Sequence, residues 1–370
     1  MESRGAGEIG LPNSLNKRVF QMRIAQVAPL AESVPPTLYG GTERVVSWLT
    51  EDLVHRGHQV TLFASGDSRT RAELVRVIPR ALRLDPSIRD AQPYYCMLLD
   101  QVLARADEFD VIHFHIDLVH YPLFRSMADS VVTTLHGRLD LPDLLPFYRA
   151  FSELPLVSVS KAQRKPMPPV NWMATVHHGL PRTLYRPHAE GGGYLAFLGR
   201  VSREKGIEAA IAIAERAGIP LKIAAKVDPV DREYFETCIK PLLSSRYVEF
   251  IGEIGDEEKN DFLGNALALV FPICWPEPFG LVMIEAAACG TPVIAFNCGS
   301  VAEVVEDGVT GFIVQDVASA ARAIGKVPAM DRLHIRRRFE QRFTVEQMTA
   351  KYLDVYSRLL EGRLGATVAA

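Results

Sequence analysis

The chain has five cysteines, Cys96, Cys238, Cys274, Cys289 and Cys298, but no Cys-x-x-Cys pair and no zinc-ligand spacing. An odd count with no secretory leader reads as reduced thiols in a cytoplasmic protein. Cys289, in Ala-Ala-Ala-Cys-Gly, reads as a small core residue rather than a nucleophile. No apolar run reaches the ~18–20 residues that a membrane span needs. The longest candidate, 281–296, is broken by Glu285, Gly290 and Pro292. A marked excess of one charge is lacking too. The formal net charge is −3, which gives no reason to expect nucleic acid as a partner. No Asp-x-Asp occurs, which argues against a catalytic Mg²⁺ or Mn²⁺ gripping a diphosphate. No Gly-x-Gly-x-x-Gly follows the first strand, which argues against a dinucleotide-dependent dehydrogenase.

What is present is an alternation of strands and helices over 370 residues, enough for two domains. Residues 1–21 are polar and Gly-rich and read as a disordered tail. Strands are expected at 24–30, 59–64, 111–115, 131–136, 156–160 and 175–177, with a helix at 42–56 ended by Gly57. The pattern restarts near 193. It gives strands at 194–198, 221–225, 248–252, 267–273, 293–296 and 311–314, and helices at 207–217 and 279–288. This alternation predicts an α/β protein with parallel sheets covered on both faces. The boundaries expected are a first domain over 22–185 and a second over 186–340. Pro187 and Gly191–Gly193 mark the join. A last helix over 341–363 opens on Thr344 and Gln347, read as a capping box. Its repeat of Val345, Met348, Tyr352, Val355 and Leu359 would let it return to the first domain.

Ligands of open parallel sheets sit beyond the carboxyl ends of the strands, and the unusual residues collect there. Glu277 and Glu285 flank the start of a helix at Phe279-Gly280-Leu281. Unpaired N–H groups and the helix dipole make such a start attractive to phosphate. The carboxylates would repel that phosphate but suit sugar and ribose hydroxyls on either side of it. A nucleotide-sugar donor follows as the ligand. Arg200 and Lys205, with Arg203, supply cations for a diphosphate. They could be mere solvated charges, yet cations at a helix start oppose its dipole, which tilts the reading toward function. Gly40-Gly41, in the first strand-to-helix loop, lets backbone N–H groups approach a phosphate. His136 would be an exposed imidazole at a strand end that positions the sugar, set against the plainer reading of a structural histidine. His113 and His115 alternate on their strand, so one of the two is expected to face the cleft. His177-His178 reads as loop structure. Lys161, Arg164 and Lys165 read as a solvated loop rather than an anion site.

These motifs, Gly40-Gly41-Thr42-Glu43, Gly199-Arg200 with Glu204-Lys205-Gly206, and the Glu277-to-Glu285 pair, resemble the family-4 retaining glycosyltransferases of GT-B fold, the group similar to glycogen synthase. Gly290-Thr291-Pro292-Val293-Ile294 and Gly308-Val309-Thr310-Gly311-Phe312 add to the likeness, which runs from Met22 to about Leu360. The resemblance implies two Rossmann-like domains facing across a cleft, with acceptor on the first and donor on the second. It implies that Glu285 holds the donor ribose and Glu277 the transferred sugar. It also implies that Arg200 and Lys205 neutralise the diphosphate. N–H groups of Phe279, Gly280 and Leu281 would bind donor oxygens, opposite Gly41 and His136. A UDP-sugar is the first expectation for the donor, with guanine the next base. The acceptor would be a small molecule, glycan or lipid-linked hydroxyl; a soluble one is favoured over peripheral membrane contact. Transfer would retain anomeric configuration in carbohydrate biosynthesis, without cofactor or essential metal, by front-face attack. A nucleotide-sugar epimerase of the same architecture and a non-catalytic binder are the competing readings.

Overall fold

The computed structural model describes residues 21–369 except Tyr39, so the expected tail, 1–21, lies outside it but for Gln21. The first sheet contains β1 (Arg23–Val27), β2 (Gln59–Ser65), β3 (Glu73–Ile78), β4 (Val111–Phe114), β5 (Val131–Leu135), β6 (Leu156–Ser158) and β7 (Trp172–Thr175). Their order is β3-β2-β1-β4-β5-β6-β7. The second contains β8 (Leu195–Arg200), β9 (Leu221–Lys226), β10 (Val248–Gly252), β11 (Ala268–Phe271), β12 (Val293–Phe296) and β13 (Gly311–Val314), in the order β10-β9-β8-β11-β12-β13. The strand pairs described are parallel in both. In each sheet the order reverses beside the first strand, which opens a crevice at the carboxyl ends of β1/β4 and β8/β11.

β3 went unforeseen. Its outer half is exposed and carries Glu73 and Arg76, so its apolar signal is weak. The strand expected at 175–177 lies instead at Trp172–Thr175, which leaves His177 and His178 beyond its end. The helix expected from Phe279 begins at Leu281. Gly280 has φ 77° there, and a Cβ on it would lie 2.9 Å from Met283 Cε, so the chain turns before it can coil.

The helix Val345–Ala369 crosses to the first sheet. Val345, Met348, Tyr352, Val355, Tyr356 and Leu359 are buried with Ile24, Val45, Leu49, Val111 and Val157. Each fully buried apolar side chain contributes about 1.5–3 kcal/mol, so this face holds the helix firmly. The crossing between sheets is tied down by two buried arginines of the helix Arg332–Arg342. Arg332 donates to the carbonyls of His188, Gly264 and Ala266, and Arg336 to those of Arg182, Tyr185 and Ala288. Among the described residues no helix is long and apolar enough to cross a membrane.

Candidate active site

The two sheets present their carboxyl-end loops to a shared cleft of about 610 Å³. The second domain contributes Arg200, Lys205, Glu277, Phe279, Gly280, Leu281 and Glu285; the first contributes Gly40, Gly41, His136 and His178. Every residue expected from the sequence to touch the donor lines one space except Arg203, which lies outside it over the Tyr234 ring at 4.6 Å.

Lys205 lies in a short turn after β8, and its ammonium sits 2.5 Å from Glu277 Oε2. The same oxygen accepts from Trp275 Nε1 at 2.8 Å. The Trp275 ring also lies 5.4 Å from Lys205 Nζ and 5.2 Å from the Arg138 guanidinium of the opposite domain. The loop that carries Glu277 is braced from behind. Its carbonyl accepts from Ser300 N at 3.1 Å, and the Ser300 hydroxyl donates to Phe279 O at 2.7 Å. Arg200, at the end of β8, faces Asp228 at 3.4 Å, Glu204 at 3.6 Å and Asp231 at 3.8 Å. The dipole penalty expected for these cations is thus offset by neighbouring carboxylates.

Glu285 is 2% exposed. Lys259 Nζ lies 3.0 Å from its Oε1 and 3.3 Å from Asp256 Oδ1. The Tyr185 hydroxyl donates to Glu285 Oε1 at 3.4 Å. Arg44, buried on the first-domain helix Gly41–His55, pairs with Asp256 across the cleft and donates to Leu38 O at 2.6 Å. None of Arg44, Asp256, Lys259 or Tyr185 was singled out in the sequence. Lys259 and Tyr185 reach Glu285 directly, and Asp256 and Arg44 reach it through Lys259, by packing of distant segments that no local motif records.

The helix after Gly280 has no side-chain cap, so the N–H groups of Leu281 and Val282 stay available to a ligand. The helix after Gly40, where φ is 152°, likewise lacks one. Gly41 lies close to the second domain: a Cβ on it would sit 3.4 Å from Leu281 Cδ1. The opposing walls therefore meet at two bare helix starts.

The histidines depart from expectation. His136 is half-buried rather than exposed, bonded through Nε2 to His115 Nδ1 at 2.9 Å and stacked on His178 at 5.3 Å. Burial pushes it down to about 3, so it is neutral. His113 and His115 do not point to opposite faces. Residues two apart on a strand share a face, and their ring centroids lie 4.0 Å apart. The expectation that only one could face this side was an error of parity. His178, read as loop, is buried on the cleft wall against Phe279 at 4.9 Å. His177 bonds Glu303 at 3.2 Å, and the Glu303 carboxylate also accepts from the N–H groups of Lys161 and Ala162. Arg164 is not solvated as expected: it donates to Ser158 Oγ at 2.6 Å and covers Trp172 at 4.6 Å. Cys289 is buried, and burial pushes its thiol up to about 12. Among the described residues no group of three or more His, Cys, Asp or Glu could hold a metal ion.

Two facing parallel sheets with a polar cleft between them form the GT-B architecture, and comparison with known proteins gives the class of enzyme. The family profile "Glycosyltransferase Family 4" matches residues 39–204, and "Glycosyl transferases group 1" matches 186–342. The chain belongs to the GT4-type glycosyltransferases of GT-B fold. It is 25% identical over 367 residues to O-antigen chain mannosyltransferase C of Escherichia coli, covering 89% of this chain and 97% of that one. Among solved structures it is similar to AviGT4, a glycosyltransferase involved in avilamycin A biosynthesis. That likeness has TM-score 0.69 and 25% identity, over 92% of this chain and 98% of that one. Sucrose-phosphate synthase from Thermosynechococcus elongatus shares the fold, with TM-score 0.75 and 21% identity over 92% and 100%.

Proposed function

We propose that this chain is a retaining, metal-independent glycosyltransferase that moves a hexosyl group from a UDP-sugar to an acceptor hydroxyl. The observation that carries the reading is the Lys205–Glu277 pair beside Arg200, facing Gly41 and His136 across the cleft. Lys205 and Arg200 stabilise charge that builds on the leaving diphosphate. Glu277 accepts from hydroxyls of the transferred sugar, and Glu285 from those of the ribose. N–H groups of Phe279, Gly280 and Leu281 hold donor oxygens, and Gly40-Gly41 closes over the phosphate. In the front-face course, the acceptor oxygen bonds the anomeric carbon on the side from which the phosphate departs. The acceptor proton passes to the departing phosphate oxygen. Retention and the uracil base follow from the motif resemblance, and the E. coli relative's name gives mannose as the sugar it transfers. The acceptor binds on the first domain, 22–185, and the donor on the second, 186–340.

The test is a thermal-shift screen of UDP-, GDP- and ADP-sugars, followed by NMR of the product's anomeric proton with and without EDTA. A bound donor at 100 times its Kd adds about 2.7 kcal/mol to stability. A rise with UDP-sugars and retained configuration in EDTA are expected. A response to GDP-sugars alone overturns the base, inversion overturns the mechanism, and total loss in EDTA overturns metal independence.

A further inference from the structure

Behind His136 lies a line of buried polar side chains that the donor chemistry does not use. Gln26, on β1, has no exposed surface and stands in register with His113 on β4. Its Nε2 donates to the Tyr356 hydroxyl at 3.1 Å, and its Oε1 lies 2.7 Å from His115 Nε2. His115 Nδ1 lies 2.9 Å from His136 Nε2. Tyr356 also contacts His113 Nδ1 at 2.7 Å, and His113 Nε2 meets the Thr134 hydroxyl at 2.7 Å. The far end of the line is thus fixed by the helix Val345–Ala369.

Neutral imidazole carries one N–H and one bare nitrogen, so each contact decides the next. A carboxamide oxygen can only accept, which places the His115 proton on Nε2. His115 Nδ1 is then bare and accepts from His136 Nε2–H. That leaves His136 Nδ1 bare, and it is buried with no partner in the protein. Turning the Gln26 amide over would reverse every donor and bury an unpartnered N–H at His136 Nδ1. Buried orphan N–H groups are rarer than orphan acceptors, so the first polarity wins.

We propose that Gln26 is a positioning residue: through His115 it holds His136 in the Nε2–H tautomer, so that the bare Nδ1 accepts from a hydroxyl of the transferred sugar. The inference rests on His136 facing the donor sugar, as proposed above. A donor whose hydroxyl at that position is removed, or replaced by fluorine, can no longer donate and loses the contact. Gln26 thereby sets what the sugar must offer.

The test begins with the full chain labelled with ¹⁵N-histidine. Long-range ¹H–¹⁵N NMR is expected to show His136 as a single neutral tautomer with Nδ1 unprotonated, and Gln26→Met to disturb it. In Gln26→Met, kcat is expected to fall about tenfold, the size of one lost hydrogen bond, with the acceptor KM unchanged. Monodeoxy donors should reveal one hydroxyl whose loss harms the wild type but not Gln26→Met. Protonated Nδ1 in the wild type overturns the inference, whether or not the variant folds. So does a tautomer unmoved in a folded Gln26→Met. A normal kcat in His136→Ala would instead sink the donor-contact reading while leaving the tautomer result standing.

Discussion

Lys205→Ala separates two roles that the ion pair with Glu277 merges. In the structure Lys205 contacts Glu277 at 2.5 Å, and the two side chains are only 16% and 12% exposed. Lys205 could act on the diphosphate, or merely shield Glu277 so that an anion can approach. If it acts on the diphosphate, its loss removes one charge-assisted hydrogen bond of about 1.5–3 kcal/mol from the bound nucleotide. More is lost in the transition state, where removing a single oxyanion donor typically costs ~10²–10³ in kcat. Stability should move less than the ~3–5 kcal/mol of a fully buried broken pair, because Trp275 Nε1 still satisfies Glu277. The assay is calorimetric binding of the nucleoside diphosphate in four proteins: wild type, Lys205→Ala, Glu277→Gln and the double variant. Direct contact predicts that Lys205→Ala weakens binding about 10–100-fold in both backgrounds. Shielding predicts a loss only where Glu277 keeps its charge. Near-wild-type binding of the double variant relative to Glu277→Gln would refute the role given to Lys205.

Lys259→Met should lower stability by about 3 kcal/mol, because Glu285, almost fully buried, loses its cation; adding Glu285→Gln should restore most of it, as read from urea midpoints. His136→Ala should slow donor hydrolysis as well as transfer; hydrolysis unchanged while transfer fell would move His136 to the acceptor. The buried histidines make the protein acid-sensitive. Burial lowers His113, His115 and His178 well below the ordinary range, and takes His120 and His136 to about 3. The unfolded chain binds these protons near pH 6.5 and the folded chain does not. Stability is therefore full above pH 6.5 and falls as pH drops toward 3, by up to about 1.4 kcal/mol per pH unit for each histidine. Denaturation midpoints that stay level from pH 7 to 5 would contradict this.

Two elements bounded by glycine were legible to the residue. The helix Ile207–Ala217 lies between Gly206 and Gly218, both at positive φ, and β10 ends on Gly252. The residues placed in the cleft were legible because each follows a strand, where a parallel sheet presents its loops. What stayed hidden was set by packing between distant segments. Gln26 looks like an ordinary polar residue in a strand until His115 and Tyr356, the latter 330 positions away, close on it. Lys259 sits in a helix rich in charge, and only the docking of that helix against Leu281–Ala288 brings it to Glu285. His178 carried a signal that was available: a His-His pair just past a strand end, in a sheet whose other strand ends already offered His115 and His136.

The cleft charges given roles above are already paired within the protein. Lys205 holds Glu277, Lys259 holds Glu285, and Arg200 is surrounded by Glu204, Asp228 and Asp231. A diphosphate sugar entering this cleft does not fill vacant charges. Under the roles proposed above, it exchanges partners, giving its phosphate to Lys205 and Arg200 and its hydroxyls to the freed carboxylates. Each exchange trades one charge-assisted bond for another, so part of the gain in ground-state affinity is offset. The leaving diphosphate differs, because its negative charge grows as the glycosidic bond breaks while the carboxylates' charge is fixed. The cations therefore favour the transition state over both the empty site and the bound donor, the differential that accelerates transfer. Arg44 extends the same logic across the cleft through Asp256 to Lys259. If ribose takes Glu285 as proposed, Lys259 is left to Asp256 and competes there with Arg44. Donor occupancy and the contact between the domains are then linked through one carboxylate, and removing the guanidinium in Arg44→Met should raise donor affinity while loosening the closed cleft.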